Sequence, residues 1–531
     1  MRTLLFSCLL FNSFFAIFFS ISNLVLVSGH CQSDQRQLLL ELNLSSSFRS
    51  TTFATPLGRL MKWNQTKDCC SWEGISCDAG GHVIGLDLSI RGISCPLDVS
   101  SSLFRFQHLQ RLNLAFNWFK TSFLTGFDKL ENLSYLNLSY SDFKRQIPVE
   151  ISRLTRLVTL DLSAFPISKT SLKLEKPNLE MLVQNLTRLR FLYLDGITIS
   201  ATGNELCRAV LPFTKLQVLS MSDCYLSGPI PSCSSFKNLG ELNLGDNQLS
   251  GTIHSTDWSG LSKLEIVDLS NSKRSGTIPP TLFGIQSLRR LFLSQNQFNG
   301  SIGDLHGKAS SLLGTLHYMA NFQLQLKLPK PVKQPDPSRN TQLDLEINKS
   351  LNINSGIWIL DLHGNQLQGQ VPTLPSYATY LDYSDNNFSF VLPAHIGDSL
   401  QFTSFFSLSN NNIQGRIPES LCNHTKLQVQ SHHFFGKLQR LESLDLSRNS
   451  LGGEIPLQLA NLNFLLFLNV SNNKLVGPIP TSTQLQTFSE ASFENNAGLC
   501  GPPLKTMCGL PPAKEDSPSD SETGSIIAGI I

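Results

Sequence analysis

Residues 444–456 read LDLSRNSLGGEIP, and residues 468–480 read LNVSNNKLVGPIP. Both fit one frame, Leu-x-Leu/Val-Ser-x-Asn-x-Leu-x-Gly-x-Ile-Pro, offset by about 24 residues. A period of 20–29 residues with this pattern marks a leucine-rich repeat solenoid. The two core leucines alternate with polar residues, so they form a short strand with one face inward. The Asn turns the chain, and its amide can satisfy backbone groups of the turn and of the adjacent coil. Gly-x-Ile-Pro then crosses the back of the coil with Ile inward. A single repeat cannot bury its apolar face, so neighbouring repeats must stack.

The frame extends outward along most of the chain. Cores begin at Leu86, Leu112, Leu136, Leu160, Leu192, Leu219, Leu242, Val267, Leu291, Leu360, Leu381, Phe406, Leu444 and Leu468. Two worn copies, LHYMAN at 316–321 and LDLEIN at 343–348, bring the expected count to about sixteen. Sixteen strands at ordinary spacing give an inner surface on the order of 75 Å long. The expected fold is therefore an α/β solenoid with a wide curved face and no enclosed cavity.

Charged residues make up 15% of the chain, low for a globular protein, because structural Leu, Asn, Ser and Gly fill the repeats. A net charge of +2 gives no bulk attraction to nucleic acid or to an acidic membrane. Residues 1–29 read as a secretory signal: Arg2, an apolar stretch to Val27, then small residues before His30. An uncleaved signal anchor is the alternative, and both send the chain outward. Ten sequons follow, at Asn43, Asn64, Asn132, Asn137, Asn185, Asn299, Asn348, Asn387, Asn423 and Asn469. Downstream of a signal they imply a glycosylated exterior protein.

The cysteines cluster at the repeat ends. Cys31, Cys69, Cys70 and Cys77 precede the first repeat, and Cys500 and Cys508 follow the last. Solenoid ends expose apolar core and need caps, which secreted proteins commonly staple with disulfides. A zinc site is disfavoured in an oxidising compartment without suitably spaced histidines. Cys207 and Cys224 lie one repeat apart and are expected to pair; Cys95, Cys233 and Cys422 are left unassigned.

The ends and the repeat type together resemble plant receptor-like proteins of the leucine-rich repeat class, most closely the Verticillium-wilt-resistance type. The resemblance is carried by CCSWEGISC at 69–77, by 355–427, and by 438–504. It implies a plant-type superhelix with disulfide-stapled N- and C-terminal caps, pairing Cys31 with Cys69, Cys70 with Cys77 and Cys500 with Cys508. It also implies a cell-surface immune receptor without a kinase domain, held in the plasma membrane by one helix and facing outward. Such proteins bind a microbial or endogenous peptide or protein and signal through adaptor and co-receptor kinases. The implied plan is a cap at 30–82, repeats at 83–303, degenerate repeats at 304–356, repeats at 357–480, a cap at 481–510, an acidic juxtamembrane linker at 511–523 and the start of a membrane helix at 524–531.

Three departures stand out. Spacing fails between Asp304 and Gly356, where Leu316, Leu343 and Leu360 are 27 and then 17 residues apart. Several repeats are missing near 429–437, beside His432 and His433, which read as a junction loop. The apolar run 524–531 is eight residues, about 12 Å as a helix, against roughly 30 Å of hydrocarbon. It reads as a truncated span; a chain ending there would be released to the apoplast. Rival readings are a secreted inhibitor similar to polygalacturonase-inhibiting proteins and a non-functional receptor fragment.

Kinase signatures are missing, and Gly307-Lys308-Ala309 lacks the rest of a phosphate loop. No enzyme activity, cofactor, metal or nucleic-acid partner is expected. Asp161, Asp268, Asp361, Asp382 and Asp445 share one phase and form an acidic row, either solvated or in contact with ligand. Candidate ligand contacts are the outward strand residues Arg111, Tyr135, Phe191, Tyr193, Arg290 and Phe292, of the types that anchor interfaces. A glycan on Asn137 would block docking on the same face.

Sequence-poor coils bury less apolar surface, and solenoid stability sums over neighbouring interfaces. Limited proteolysis is therefore expected to nick first near Lys330–Arg339. First cleavage inside 444–480 would contradict this.

Overall fold

A computed structural model describes residues 30–44, 63, 65–94, 100–119, 126–165, 172–230, 234–253, 258–302, 357–371, 374–375, 378–421, 441–482 and 484–509. The signal segment, the linker, the apolar C-terminal run and Lys330–Arg339 lie outside these residues.

Every strong core forms a strand of one sheet. The sheet opens with β1 (Ile75–Cys77), antiparallel to β2 (Val83–Asp87). Parallel strands follow: β3 (Arg111–Asn113), β4 (Tyr135–Asn137), β5 (Thr159–Asp161), β6 (Phe191–Tyr193), β7 (Val218–Ser220), β8 (Glu241–Asn243) and β9 (Ile266–Asp268). The second half comprises β10 (Arg290–Phe292), β11 (Ile359–Asp361), β12 (Tyr380–Asp382), β13 (Phe405–Ser407), β14 (Ser443–Asp445) and β15 (Phe467–Asn469). The first leucines stand opposite one another throughout, from Leu86↔Leu112 to Leu444↔Leu468. Their side chains are 0–2% exposed, so one apolar row runs the length of the solenoid.

Fourteen of the expected cores are among the described residues; LHYMAN and LDLEIN lie outside them. Strand β10 pairs directly with β11, Leu291 against Leu360. Phe406 likewise pairs directly with Leu444, so the coils close across 422–440. Neither long interval breaks the stack.

A second set of parallel strands runs along one side, which the sequence frame treats only as a crossing. The x-Leu-x-Gly segments pair in register: Ser227–Gly228, Gln248–Gly251, Lys273–Gly276, Gln297–Ser301, Gln366–Gly369 and Asn387–Phe388. Four more strands, ending with Gly498–Cys500, continue this arrangement into the C-terminal cap. The Gly here takes a left-handed φ, 77° at Gly453 and 83° at Gly477, which only glycine adopts without strain.

Between the two sheets the Asn positions form a ladder. Asn449 Nδ2 donates to the carbonyls of Leu446 and Ser447 in its own coil and of Leu408 in the coil before, at 2.9–3.1 Å. Its Oδ1 accepts the Ile413 N–H at 2.9 Å. Asn247, Asn296, Asn365, Asn386, Asn411 and Asn473 donate in the same way. Asn365 reaches Leu293 O, 72 residues earlier in the chain, at 3.0 Å, so the ladder also spans the long interval.

The ladder explains a failed pairing. Cys224 does not bond to Cys207; it is a buried free thiol. It occupies the Asn slot of its coil, and its Sγ donates to Leu194 O at 3.0 Å, standing in for the amide. The repeat pattern admits Asn or Cys here. Cys207 is disulfide-bonded to a partner outside the described residues. Disulfides Cys31–Cys69, Cys70–Cys77 and Cys500–Cys508 are formed as the resemblance implies.

The caps close both ends. Helix α1 (Ser33–Leu44) buries Leu38, Leu39 and Leu42, and Ser102 Oγ donates to its Leu38 carbonyl. Asp68 accepts the N–H groups of Cys31 and Cys70 at 3.0 and 2.8 Å, tying the disulfide-bearing segments together. Leu485, Phe493 and Leu499 cover the last coil, and Asn496 adds a final rung by donating to Val470 O at 3.1 Å.

Asn449→Ala should destabilise the protein by about 2–3 kcal/mol, because it strands three carbonyls and the Ile413 N–H inside the stack. Chemical denaturation measures this. A loss below about 0.5 kcal/mol would show that the rung carries no weight.

Candidate ligand-binding face

The concave sheet offers two outward residues per strand, flanking the buried leucine. Five of the six candidates stand there at least partly accessible: Arg111 is exposed, and Tyr135, Phe191, Tyr193 and Arg290 are half-buried. Phe292 does not fit the expectation. It is 6% exposed, standing in register between Asp268 and Asp361 on the flanking strands, and offers no free ring face. The structure spreads the candidates from β3 to β10, seven strand spacings or roughly 34 Å. They form a track rather than a cleft.

Local contacts order the track. The Arg111 guanidinium lies over the Tyr135 ring at 4.3 Å, a cation–π pair. Arg190 approaches the Phe191 ring at 5.9 Å. Burial and nearby carboxylates, Glu241 first among them, push the Tyr193 phenol well above its usual range. Tyr380 and Phe405 stack at 4.3 Å further along, a pair the sequence reading passed over. Also missed was an aromatic row, with Phe116 stacked on Tyr140 and Tyr140 tilted against Phe165, each at 5.0 Å. Phe116 and Tyr140 hold left-handed φ values of 57° and 53°, where downstream coils place Asn410 and Asn472. Bulky residues at such φ are outliers; three consecutive coils with an aromatic at or beside this slot were the available signal.

The acidic row has a structural task. Each Asp takes the backbone N–H two residues on: Asp161 from Ser163, Asp268 from Ser270, Asp361 from His363, Asp382 from Ser384 and Asp445 from Ser447. Serine hydroxyls add bonds of 2.5–2.7 Å at Asp268, Asp382 and Asp445. The row caps strand ends instead of standing free in solvent. Burial raises the Asp161 and Asp268 carboxyls to about 6, against the lowering effect of those serine bonds. Asp195 is raised to about 6 for the same reason, although Ser220 Oγ donates to it at 2.7 Å. Burial lifts Glu241 to about 7, opposed by Arg290.

Among the described sequons, Asn137 and Asn469 lie on the concave strands and Asn185, Asn299 and Asn387 are exposed. Asn64, Asn348 and Asn423 fall outside the described residues.

The leucine rich repeat N-terminal domain family matches residues 33–78, and the leucine rich repeat family matches 215–236, 404–424 and 440–462. Receptor-like protein 6 of Arabidopsis thaliana is 34% identical over 50% of this chain and 28% of its own length. Receptor-like protein 49 of the same species is 30% identical over 76% of this chain and 55% of its own. The chain thus spans about a quarter to a half of the curated relatives it matches. Among solved structures, a TDR receptor superposes with a TM-score of 0.55 at 24% identity, covering 78% of this chain and 59% of that one, which fixes the fold.

Carboxyls raised on folding bind more protons in the native state than in the unfolded chain between about pH 4 and 7. Stability must therefore fall as pH rises through that window. The melting temperature should be at least about 3 °C higher at pH 5 than at pH 7.5. A higher value at pH 7.5 would refute the assigned burial of Asp161, Asp195, Glu241 and Asp268.

Proposed function

We propose that this chain, which carries leucine-rich repeat family matches and is similar to plant receptor-like proteins, is the recognition part of a cell-surface immune receptor. It faces the apoplast and binds a microbial or endogenous peptide or protein along the concave track from Arg111 to Arg290. The observation that carries the reading is the track itself. Paired Arg and aromatic side chains stand outward on a rigid sheet while the capping Asp, Asn and Ser residues are occupied by backbone. Such side chains supply most of the energy at protein interfaces, and an extended track suits an extended peptide.

The chain performs no chemistry of its own in this reading and signals through a partner receptor kinase. The contact for that partner is the last coils, about 438–480. Leu457, Phe464 and Leu466 are 75%, 56% and 80% exposed there, a density of outward apolar groups that a monomeric surface seldom keeps. Membrane attachment would come from the segment beginning at residue 524; among the described residues no helix is long and apolar enough to cross a bilayer.

The test is retention of a peptide or protein from microbial culture filtrate by the immobilised chain. Tyr135→Ala and Arg290→Ala should each weaken retention by about tenfold, the scale of an interface anchor. Leu466→Glu should abolish co-precipitation with an adaptor kinase and leave ligand retention intact. Binding indifferent to both track substitutions removes the concave-face reading, and turnover of a glycan or ATP by the pure chain removes the receptor reading.

A further inference from the structure

Coils that end their strand with the same residue serve as controls for one another. Six described strands place Asp after the inward leucine. In five of them the residue two places on is serine: Ser89 after Asp87, Ser163 after Asp161, Ser270 after Asp268, Ser384 after Asp382 and Ser447 after Asp445. The sixth has His363 after Asp361. His363 Nδ1 lies 2.8 Å from Asp361 Oδ1, where the other coils put a hydroxyl.

The same coil is exceptional a second time. Asp361 stands in register with Asp382 on the next strand, and no other adjacent pair of described strands sets Asp against Asp. Elsewhere the opposing residue is Asn, Ser, Tyr or Phe. Both carboxylates are buried, at 8% and 7% exposure. Like charges directly opposite are destabilising in a sheet, and buried carboxylates require a cation or strong hydrogen-bond partners. Tyr380 Oη donates to Asp382 Oδ2 at 3.2 Å and fixes its orientation. One ligand atom from each of Asp361, His363 and Asp382 can be chosen so that all lie within 4.8 Å of one another.

We propose that Asp361, His363 and Asp382 form a binding site for a divalent transition-metal ion on the concave face, with Zn²⁺ the best match. One imidazole and two carboxylates suit a borderline ion such as Zn²⁺. Ca²⁺ takes six to eight oxygen ligands, and this trio supplies too few. Three protein ligands leave a fourth tetrahedral position for water. Tyr380 then acts from the next shell, holding a ligating carboxylate. The sequence reading missed the trio because its members are spaced as repeat positions, not as a metal motif. The site is independent of the receptor reading and stands or falls apart from it.

The test is a calorimetric titration of the purified full chain with Zn²⁺, paired with a Co²⁺ absorption spectrum. The wild type should bind one strong equivalent and give a spectrum with nitrogen and oxygen ligands. His363→Ser installs the residue that the other five coils carry, so its melting curve in chelator should match the wild type. Its Zn²⁺ affinity should fall at least about tenfold, as should that of Asp382→Asn. No strong equivalent in the wild type would mean a plain histidine–carboxylate pair and would overturn the proposal. An isotherm unchanged in His363→Ser would place the ion elsewhere, for example at the adjacent His82–His108 pair, and would overturn it equally. If His363→Ser melts early in chelator, the wild-type Co²⁺ spectrum decides: oxygen-only coordination, or displacement by Ca²⁺ at equal concentration, rules the site out.

Discussion

A side-chain amide that bonds to two coils at once holds this molecule in order. Stacked coils leave turn carbonyls and N–H groups pointing inward, where water cannot reach them. An unpaired buried backbone group costs free energy comparable to a lost hydrogen bond. Asn is the short side chain that carries both a double donor and an acceptor, and here it uses all of them. The leucine rows supply the bulk attraction, but that force has no direction. The amides set register. Between Asn117 and Asn247 the slot holds Ser141, Phe165, Ile197 and Cys224 in turn, so this run of coils is held by packing with fewer rungs. It is also where the back of the solenoid departs most from the repeat. Short helices, Leu179–Val183 and Gly203–Val210, replace the Gly-x-Ile-Pro crossing there.

How much was legible follows from the same physics. Leu86 through Leu468 announce themselves because one period governs both chain and sheet, and every strong core became a strand. The cap disulfides were legible through resemblance. Cys224 was misread because spacing says where a cysteine lies along the chain, not which way its slot points. Phe292 was misread for a related reason: an outward position in the pattern is not an accessible one when both neighbours stand in register against it.

The concave face divides its polar groups between two duties. The Asp row serves the backbone, and its raised carboxyls reflect that confinement more than any reserved chemistry. The outward arginines and aromatics do not bond the backbone in this way, and they are also the ones that differ from coil to coil. In a repeat protein the deviation from consensus carries the information about partners. The same comparison that sets Tyr135 and Arg290 apart from their neighbours sets His363 against five serines.

Strand β10 meets β11 although Asn365 and the Leu293 carbonyl it grips are 72 residues apart, against 27 for the equivalent bond of Asn296. Loop-closure entropy rises only logarithmically. Even a wholly unstructured excursion of that length adds roughly 1 kcal/mol over an ordinary coil. A stack built from nearest-neighbour contacts senses only the two faces that meet, not the length of chain between them. The lattice can therefore gain or lose whole turns, or carry cargo between adjacent ones, without retuning any distant contact. Such a scaffold lets the span of its recognition surface change by editing in units of a coil, while the ends that seal it stay the same.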